Sequence, residues 1–244
     1  MSIIINNGGS GSGSTPNALI ALRRRATTIT DGNSTTLQVQ GDTIADVGLV
    51  NKTFAVIQVG YGAGLQIVPQ NGGSTFGWQG KSLIDNVKNP AMCFVGGCGR
   101  STSPNTSRYW IGMSDQSGAT MANSDNPAGN YMAFRFSGGV DTNWQCITKD
   151  GTTQTIVDSG FAYVPWVNGT GPGIVLTVIG VGNGSTQSQA LFYINGVLKG
   201  TISTHLPNSG SPIGLTCIAS SANASTTTNA LMFLEEMVFE QDSY

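Results

Sequence analysis

Residues 191–198, LFYINGVL, decide the class of fold. The Asn-Gly pair at 195–196 stands between two apolar runs and supplies the positive φ angles of a two-residue type I′ turn, which predicts a tight β-hairpin. Lys149-Asp150-Gly151 predicts a second hairpin, a three-residue loop with glycine at the left-handed position, between Trp144–Thr148 and Thr153–Asp158. Hairpins of this kind join antiparallel strands.

A pattern of short apolar segments separated by turn residues extends from Ala18 to the end of the chain. Apolar residues recur with period two or in short runs, and Gly, Pro, Asn and Asp interrupt them about every ten residues. No segment longer than about ten residues has the apolar spacing of a helix. The predicted strands are Ala18–Arg23, Thr35–Gln40, Phe54–Val59, Leu65–Val68, Met92–Val95, Arg108–Met113, Tyr131–Ser137, Trp144–Thr148, Thr153–Asp158, Ile174–Val181, Ala190–Ile194, Val197–Ile202, Ile213–Ala219 and Ala230–Glu240.

Three of these segments are predicted to be central strands. Ile174–Val181 is apolar at nearly every position, as a strand covered on both faces would be. Tyr131–Ser137 alternates large apolar residues with smaller or charged ones. Residues 231–239, LMFLEEMVF, return the end of the chain to the core.

Length and composition favour one large β-sandwich that binds rather than catalyses. The 244 residues fit a single all-β domain, and charged residues make up only 10% of them. Eleven basic residues against 13 acidic ones leave a net charge of −2, so no nucleic-acid partner is expected. The sequence shows neither a signal peptide nor an apolar run that would insert into a membrane.

The predicted domains are a flexible N-terminal arm at 1–17 and a single jelly-roll sandwich at 18–244. Residues 7–17 have the composition of a flexible linker. They cannot bury enough apolar surface to fold by themselves. They tether a β-prone peptide, in which Ile3, Ile4 and Ile5 are the predicted partner-binding residues. Such a peptide adds a strand to the sheet edge of a neighbour, or it is simply a frayed terminus.

Arg23, Arg24 and Arg25 form the only basic cluster and are also assigned to partner binding. In an extended segment consecutive side chains splay to both sides of the strand. The cluster is therefore either a docking contact to an acidic partner surface or a solvated strand end.

The four cysteines, Cys93, Cys98, Cys146 and Cys217, are predicted to be free and buried, because synthesis in a cytoplasm keeps thiols reduced. A Cys93–Cys98 bridge is left open.

The sequence predicts neither a catalytic site nor a cofactor. His205 is the only histidine and stands in a polar turn, so it is read as a loop residue. The only glutamates are Glu235, Glu236 and Glu240, and neighbours in a regular strand point to opposite faces, which excludes Glu235 with Glu236 as a glycosidase pair. The protein is predicted not to be an enzyme.

Two further sets of residues are candidates for binding. The side chains of Asp141, Asn143, Asp150 and Asp158 could hold calcium, but their spacing favours turn capping. Trp78 and Trp166 are candidates for stacking on a sugar ring.

Several motifs resemble the concanavalin A-like jelly roll of tailed-bacteriophage virion proteins, over roughly residues 90 to 240. They are Arg108-Tyr-Trp-Ile-Gly-Met, Ala133-Phe-Arg-Phe-Ser, Asp141-Thr-Asn-Trp, Thr148-Lys-Asp-Gly-Thr, Asp158-Ser-Gly, Phe192-Tyr-Ile-Asn-Gly and Thr204-His-Leu-Pro-Asn. The paired glutamates of the enzymes with this fold and the calcium-and-manganese loop of plant lectins are not found.

The resemblance implies an all-β, antiparallel jelly-roll sandwich located in a virion that is assembled in the host cytoplasm. The linker composition of residues 7–17 adds the extended N-terminal arm to this fold. The resemblance also implies a capsid decoration or cement protein, expected to be a homotrimer, whose partner is the major capsid protein or another virion protein. The alternative is a tail-fibre or receptor-binding protein that recognises a host surface glycan.

Overall fold

The computed structural model describes residues 22–24, 36–39, 42–45, 52–59, 62–69, 75–79, 85–100, 107–116, 118–122, 124–165, 172–221 and 230–241. The predicted arm at 1–17 lies outside this part of the chain. The division into an arm and one sandwich domain stays a prediction.

The described residues form sixteen strands and one helix of five residues. No helix among them is long and apolar enough to cross a membrane. The strands are β1 Leu22–Arg24, β2 Thr36–Val39, β3 Asp42–Ala45, β4 Lys52–Val59, β5 Gly62–Pro69, β6 Thr75–Gln79, β7 Ala91–Arg100, β8 Ser107–Ser114, β9 Gly129–Ser137, β10 Asn143–Gly151, β11 Gln154–Ala162, β12 Ile174–Gly182, β13 Gln187–Ile194, β14 Val197–Ile202, β15 Gly214–Ser221 and β16 Ala230–Glu240, and the helix α1 is Gly118–Ala122.

Two large antiparallel sheets form a sandwich, which confirms the predicted fold class. One sheet has the order β14-β13-β12-β7-β16-β5-β4, with β1 also paired to β16, and is called the eight-stranded sheet. The other has the order β11-β10-β9-β8-β15-β6 and is called the six-stranded sheet. In the described part of the chain β2 and β3 pair only with each other.

The core lies between the two sheets. Alternate residues of the six-stranded sheet, among them Phe134 and Trp144, pack against residues of the eight-stranded sheet such as Phe94 and Phe192. The rings of Phe134 and Phe192 meet edge to face with centroids 5.3 Å apart. These side chains are almost fully buried, so their apolar area is the main stabilising term of the fold.

Both predicted hairpins are present. Asn195 and Gly196 have φ angles of 51° and 79°, as a type I′ turn requires. At the other hairpin Gly151 is left-handed, with φ 90°, but Lys149 already pairs with Gln154. The loop is therefore four residues long rather than three, because Lys149 belongs to the strand.

The three segments predicted to be central are central, but the predicted cover on both faces of one of them, Ile174–Val181, is wrong. Ile174–Val181 lies in β12, where buried positions alternate with partly exposed ones, so only one face is well covered. Tyr131–Ser137 lies in β9, where every one of these positions is buried, including Arg135. The alternation within β9 reflects two different covers, a sheet on one side and a loop on the other.

That loop connects β8 to β9 and is described at residues 115–116, 118–122 and 124–128; we call it the strap. It includes α1 and lies on the outer face of the six-stranded sheet. Met121 and Ala122 pack there against a second apolar cluster, separate from the core. The members of this cluster from the sheet are Trp110, Tyr131, Ala133, Ile147 and Ile218.

Candidate functional site

The residues predicted to bind partners lie mostly outside the described part of the chain. Ile3, Ile4, Ile5, Arg25 and Trp166 are all outside it. Their roles stay predictions.

The structure places the backbone of the remaining three. Arg23 and Arg24 stand in β1, opposite Val238 and Met237 of the C-terminal strand. Trp78 stands in β6, opposite Cys217, whose side chain belongs to the core. The structure therefore does not bring the basic cluster and Trp78 together in one pair of strands.

On one side of the sandwich the edge strands are β11 and β14, and both are irregular. Lys199 is an extra residue in β14, because Leu198 pairs with Tyr193 and Gly200 with Phe192. Its ammonium nitrogen lies 5.8 Å from the ring centre of Phe161 in β11. In β11 a second irregularity contains Gly160, with φ 64°. Bulges and an edge lysine hinder the addition of another strand.

The edge on the opposite side of the eight-stranded sheet is regular. All eight residues of β4 pair with β5, from Lys52 with Pro69 to Val59 with Gly62, without a shift in register. The strand reads KTFAVIQV, with one charge at its start and neither glycine nor proline. Within the described residues β4 has no partner on its other side. A long regular edge of this composition is a template for a further strand.

A second candidate surface is the outer face of the six-stranded sheet beneath the strap. Arg108, Arg135 and Lys149 are all buried there, at 7%, 4% and 5% exposure. A buried cation must be paired or fully hydrogen-bonded, and the strap supplies most of the acceptors.

Arg108 and Lys149 are held by atoms of the strap. Nε of Arg108 donates to Oδ1 of Asp125 at 2.7 Å, and its Nη1 donates to the Ala122 carbonyl at 2.7 Å. Nζ of Lys149 donates to Oδ1 of Asn126 and to the Pro127 carbonyl, both at 2.7 Å. No carboxylate among the described residues forms an ion pair with Lys149.

Arg135 has its own carboxylate on the sheet. It forms two hydrogen bonds with Asp141, from Nε at 3.0 Å and from Nη2 at 2.8 Å. Asp141 also accepts from the backbone N–H of Ser137 and so closes the turn between β9 and β10. A third donor of Arg135 reaches the Asp125 carbonyl of the strap at 2.6 Å.

Asp125 is the ionic link between the strap and the sheet. Burial raises the pKa of its carboxyl, but the hydrogen bond from Arg108 and the charges of Arg108 and Arg135 outweigh burial. The pKa therefore lies below the ordinary value of 3.8. The charged carboxylate stabilises the closed strap.

Acid should weaken this link. The pKa of Asp125 is lower in the folded than in the unfolded state. The charged carboxylate therefore makes its full contribution to the free energy of unfolding above about pH 5, and this contribution is lost as the pH falls through the folded pKa. We expect the wild type to lose stability relative to Asp125→Asn between about pH 6 and pH 3, by less than about 1 kcal/mol, because solvent partly screens the carboxylate, whose side chain is 33% exposed. Chemical denaturation of both proteins at both pH values measures the difference, and parallel curves would contradict it.

The carboxylates at the turns cap backbone groups, as predicted. Oδ1 of Asp150 accepts from the N–H groups of Thr152 and Thr153, and chiefly the Thr153 bond lowers its pKa to about 2. Asp158 accepts from the Gly160 N–H and from the Asn143 amide, which lower its pKa. No group of three metal-ligating side chains occurs in the described ranges.

His205 is an exposed turn residue, as predicted. Its φ angle is 46°, and its Nδ1 lies 2.7 Å from Oγ1 of Thr155.

The four cysteines are buried and form no disulfide, as predicted. Cys98 belongs to the apolar cluster between the two sheets, whereas Cys93, five positions earlier in β7, is buried outside that cluster. Residues an odd number of positions apart in a strand lie on opposite faces, so these two cannot be bridged. Burial raises the pKa of the Cys146 thiol to about 12, which makes this thiol unreactive.

The expected separation of Glu235 from Glu236 by regular strand alternation is wrong. Leu234 pairs with Gly96 and Glu236 with Val95, so Glu235 is the extra residue of a bulge in β16. The regular alternation that was expected to separate Glu235 from Glu236 does not hold there. The assignment of the protein as a non-enzyme stays a prediction.

A cavity of about 50 Å³ opens between the sheets and is lined by Cys98, Trp144, Phe161, Val164 and Ile174, among others. This volume holds one or two water molecules and is far smaller than a typical ligand pocket of about 300 Å³ or more.

Comparisons with known proteins identify the fold. No protein-family profile matches the sequence, and no curated protein is significantly similar to it. A protein of unknown function from Shewanella oneidensis MR-1 has a similar structure, with a TM-score of 0.60 and 8% identity over 99% of this chain and 96% of that one. At this identity the likeness shows a shared fold.

Two other solved structures are less similar. The carbohydrate recognition domain of Emp47p has a TM-score of 0.49 and 13% identity, over 82% of this chain and 95% of that one. A carbohydrate esterase of the Shiga toxin-encoding bacteriophage phi24B has a TM-score of 0.47 and 12% identity, over 80% and 89%. The pairing of its own strands makes the chain an antiparallel β-sandwich.

Proposed function

We propose that the protein is a structural protein of a bacteriophage virion, a decoration or cement protein that stabilises the shell as a homotrimer. The virion assignment rests on the resemblance of its motifs to phage jelly-roll proteins. The observation that supports docking is the contrast between the sheet edges, since β11 and β14 are blunted while β4 is regular.

The proposed link between subunits is strand addition. The β-prone residues Ile3, Ile4 and Ile5 of one copy pair with β4 of the next, and the linker at 7–17 spans the gap. Because donor and acceptor surfaces differ, the contact is head to tail and closes into a ring. The sandwich then contacts the major capsid protein or another virion protein through its nearly uncharged surface.

Sedimentation of four proteins tests the link. We expect the full chain and the control Ile156→Lys, placed in the irregular edge β11, to sediment as trimers. A chain without residues 1–15 and the variant Ile57→Lys, which puts a lysine in β4, should both sediment as folded monomers. If the chain without residues 1–15 still sediments as a trimer, the proposed role of the arm is refuted. This outcome holds whether or not Ile57→Lys folds.

The place in the particle requires a separate experiment. Cryo-electron microscopy of virions is expected to show the protein on the icosahedral lattice. Density at the tail tip alone would refute the decoration role and favour the second candidate function.

That second candidate is a tail-fibre or receptor-binding protein that recognises a host surface glycan. The observation that favours it is the set of aromatic and basic side chains on the outer face of the six-stranded sheet. Trp78 and Trp166 are its sequence-predicted contacts, and loss of binding on a glycan array after their replacement by alanine would support them.

A further inference from the structure

The outer face of the six-stranded sheet holds more positive charge than its carboxylates balance. Three of the eleven basic residues of the chain are buried here, Arg108, Arg135 and Lys149. Among the described residues, the carboxylates that contact them are Asp125 and Asp141. Burial of a cation that no carboxylate balances lowers the stability of the fold. Apolar side chains of similar volume at these positions would stabilise the protein at least as well.

The atoms by which the strap contacts these three cations are all oxygens. They comprise one carboxylate oxygen, one amide oxygen and three carbonyl oxygens. In order along the chain these are the Ala122 carbonyl, the Asp125 carbonyl and Oδ1, Asn126 Oδ1 and the Pro127 carbonyl. Gln154 also donates to the Asp125 carbonyl, at 3.1 Å. One negative charge among several neutral oxygens is the acceptor pattern of an acidic sugar.

Trp110 provides the aromatic part of the same face. Its ring meets that of Tyr131 edge to face at 5.4 Å, and the Arg135 guanidinium lies 5.8 Å from its centre. The indole is fully buried, yet its Nε1 has no acceptor within the described part of the chain. A buried donor without a partner destabilises the closed strap, and an oxygen of a ligand could accept its hydrogen bond.

We propose that this face is a binding site for an oligosaccharide that carries carboxylate groups, such as a uronate polymer, and that the strap occupies it in the absence of the sugar. Arg108 and Lys149 bind the carboxylates of successive residues, while Trp110 and Tyr131 contact the sugar rings. This inference names the ligand class for the glycan-recognition candidate. It does not depend on strand addition at β4.

Competition between strap and sugar gives the inference a distinctive signature. A site that is covered for most of the time binds with an apparent affinity reduced by the fraction of open molecules. Weakening the strap by Asp125→Asn should therefore tighten binding, by about threefold. If the Asp125–Arg108 ion pair were purely structural, the substitution would lower the stability of the protein and leave its affinity for the sugar unchanged.

The test is titration of the full chain with galacturonate oligosaccharides of four to six units, followed by calorimetry and tryptophan fluorescence. Cello-oligosaccharides of the same length are the neutral control. We expect binding of the galacturonate probe alone, about threefold tighter binding by Asp125→Asn, and binding at least about tenfold weaker by Lys149→Met. Lys88→Met, at an exposed ion pair with Asp85, is the matched control and should bind as the wild type does.

Hydrogen exchange gives a readout that needs no substitution. At saturating galacturonate, the amides of residues 118–122 should exchange faster, because the strap has left the sheet. The proposal is refuted if neither the wild type nor Asp125→Asn binds the probe at millimolar concentration, or if the neutral sugar binds equally well. It is also refuted if a folded Lys149→Met binds as the wild type does. Sedimentation as a trimer is unaffected by these outcomes, so the docking proposal stands or falls separately.

Discussion

Replacement of Asp141 by alanine should lower the free energy of unfolding by about 3–5 kcal/mol, measured by chemical denaturation at neutral pH. The side chains of Asp141 and Arg135 are only 6% and 5% exposed and share two hydrogen bonds. The substitution leaves the guanidinium buried, with the Asp125 carbonyl as its remaining acceptor among the residues that the structure describes. It also removes the acceptor of the Ser137 N–H at the turn.

Asp85→Ala is the matched control for this prediction. Asp85 and Lys88 form an ion pair at 3.7 Å, but their side chains are 37% and 31% exposed, and such pairs contribute about 1 kcal/mol or less. The double variant Arg135→Met with Asp141→Leu removes both charges and should be more stable than Asp141→Ala. A cost below about 1 kcal/mol for Asp141→Ala would show that Arg135 is solvated rather than buried.

The hairpins and the central strands were predictable because their signals are local. Asn195-Gly196 specifies its turn through two backbone angles, and apolar runs mark β12 and β16. Strands without such a signal were missed. Asp42–Ala45 is short and begins with a charge, while Thr75–Gln79 contains a glycine; both are strands because a neighbouring strand supplies the hydrogen bonds.

Glycines also made β7 look shorter than it is. Met92–Val95 was the predicted strand, yet β7 continues through two adjacent glycines to Arg100. Pairing with β16 continues along this extension as far as Ala230. The tertiary partner overrides the low strand propensity of glycine.

The covered face could not be predicted from the alternation of single strands. In β8, β9 and β10 the outward positions include charged residues, which normally indicates a solvated face. The signal that was available is the apolar residue that each strand also carries there, Trp110 in β8, Ala133 in β9 and Ile147 in β10. Read together, they indicate that something covers the sheet, but the polar sequence of the strap does not identify it as the cover.

Replacement of Gly112 by alanine should lower the free energy of unfolding by about 3 kcal/mol, which is the upper part of the range for overpacking. The cost is high because the added Cβ would collide with backbone atoms. Gly112 lies in β8 opposite Ala133 of β9, beneath the strap. A Cβ at this position would lie inside van der Waals distance of the Ala133 Cα and of the Met132 carbonyl oxygen. A side chain can change its rotamer, but these atoms can move only if two central strands separate, which also disturbs the anchor of Arg135 and Lys149.

Gly173→Ala is the control for Gly112→Ala, because a Cβ there would meet only the Gly96 carbonyl at an ordinary 3.6 Å. Gly173→Ala should change the free energy of unfolding by no more than about 0.5 kcal/mol. Thermal and chemical unfolding of the two variants, followed by circular dichroism, measure the difference. Because the clash acts on the sheet that holds the buried cations, Gly112→Ala should also speed hydrogen exchange in the strap, while Gly173→Ala should not. Equal stability of the two variants would mean that β8 and β9 lie further apart than the structure places them.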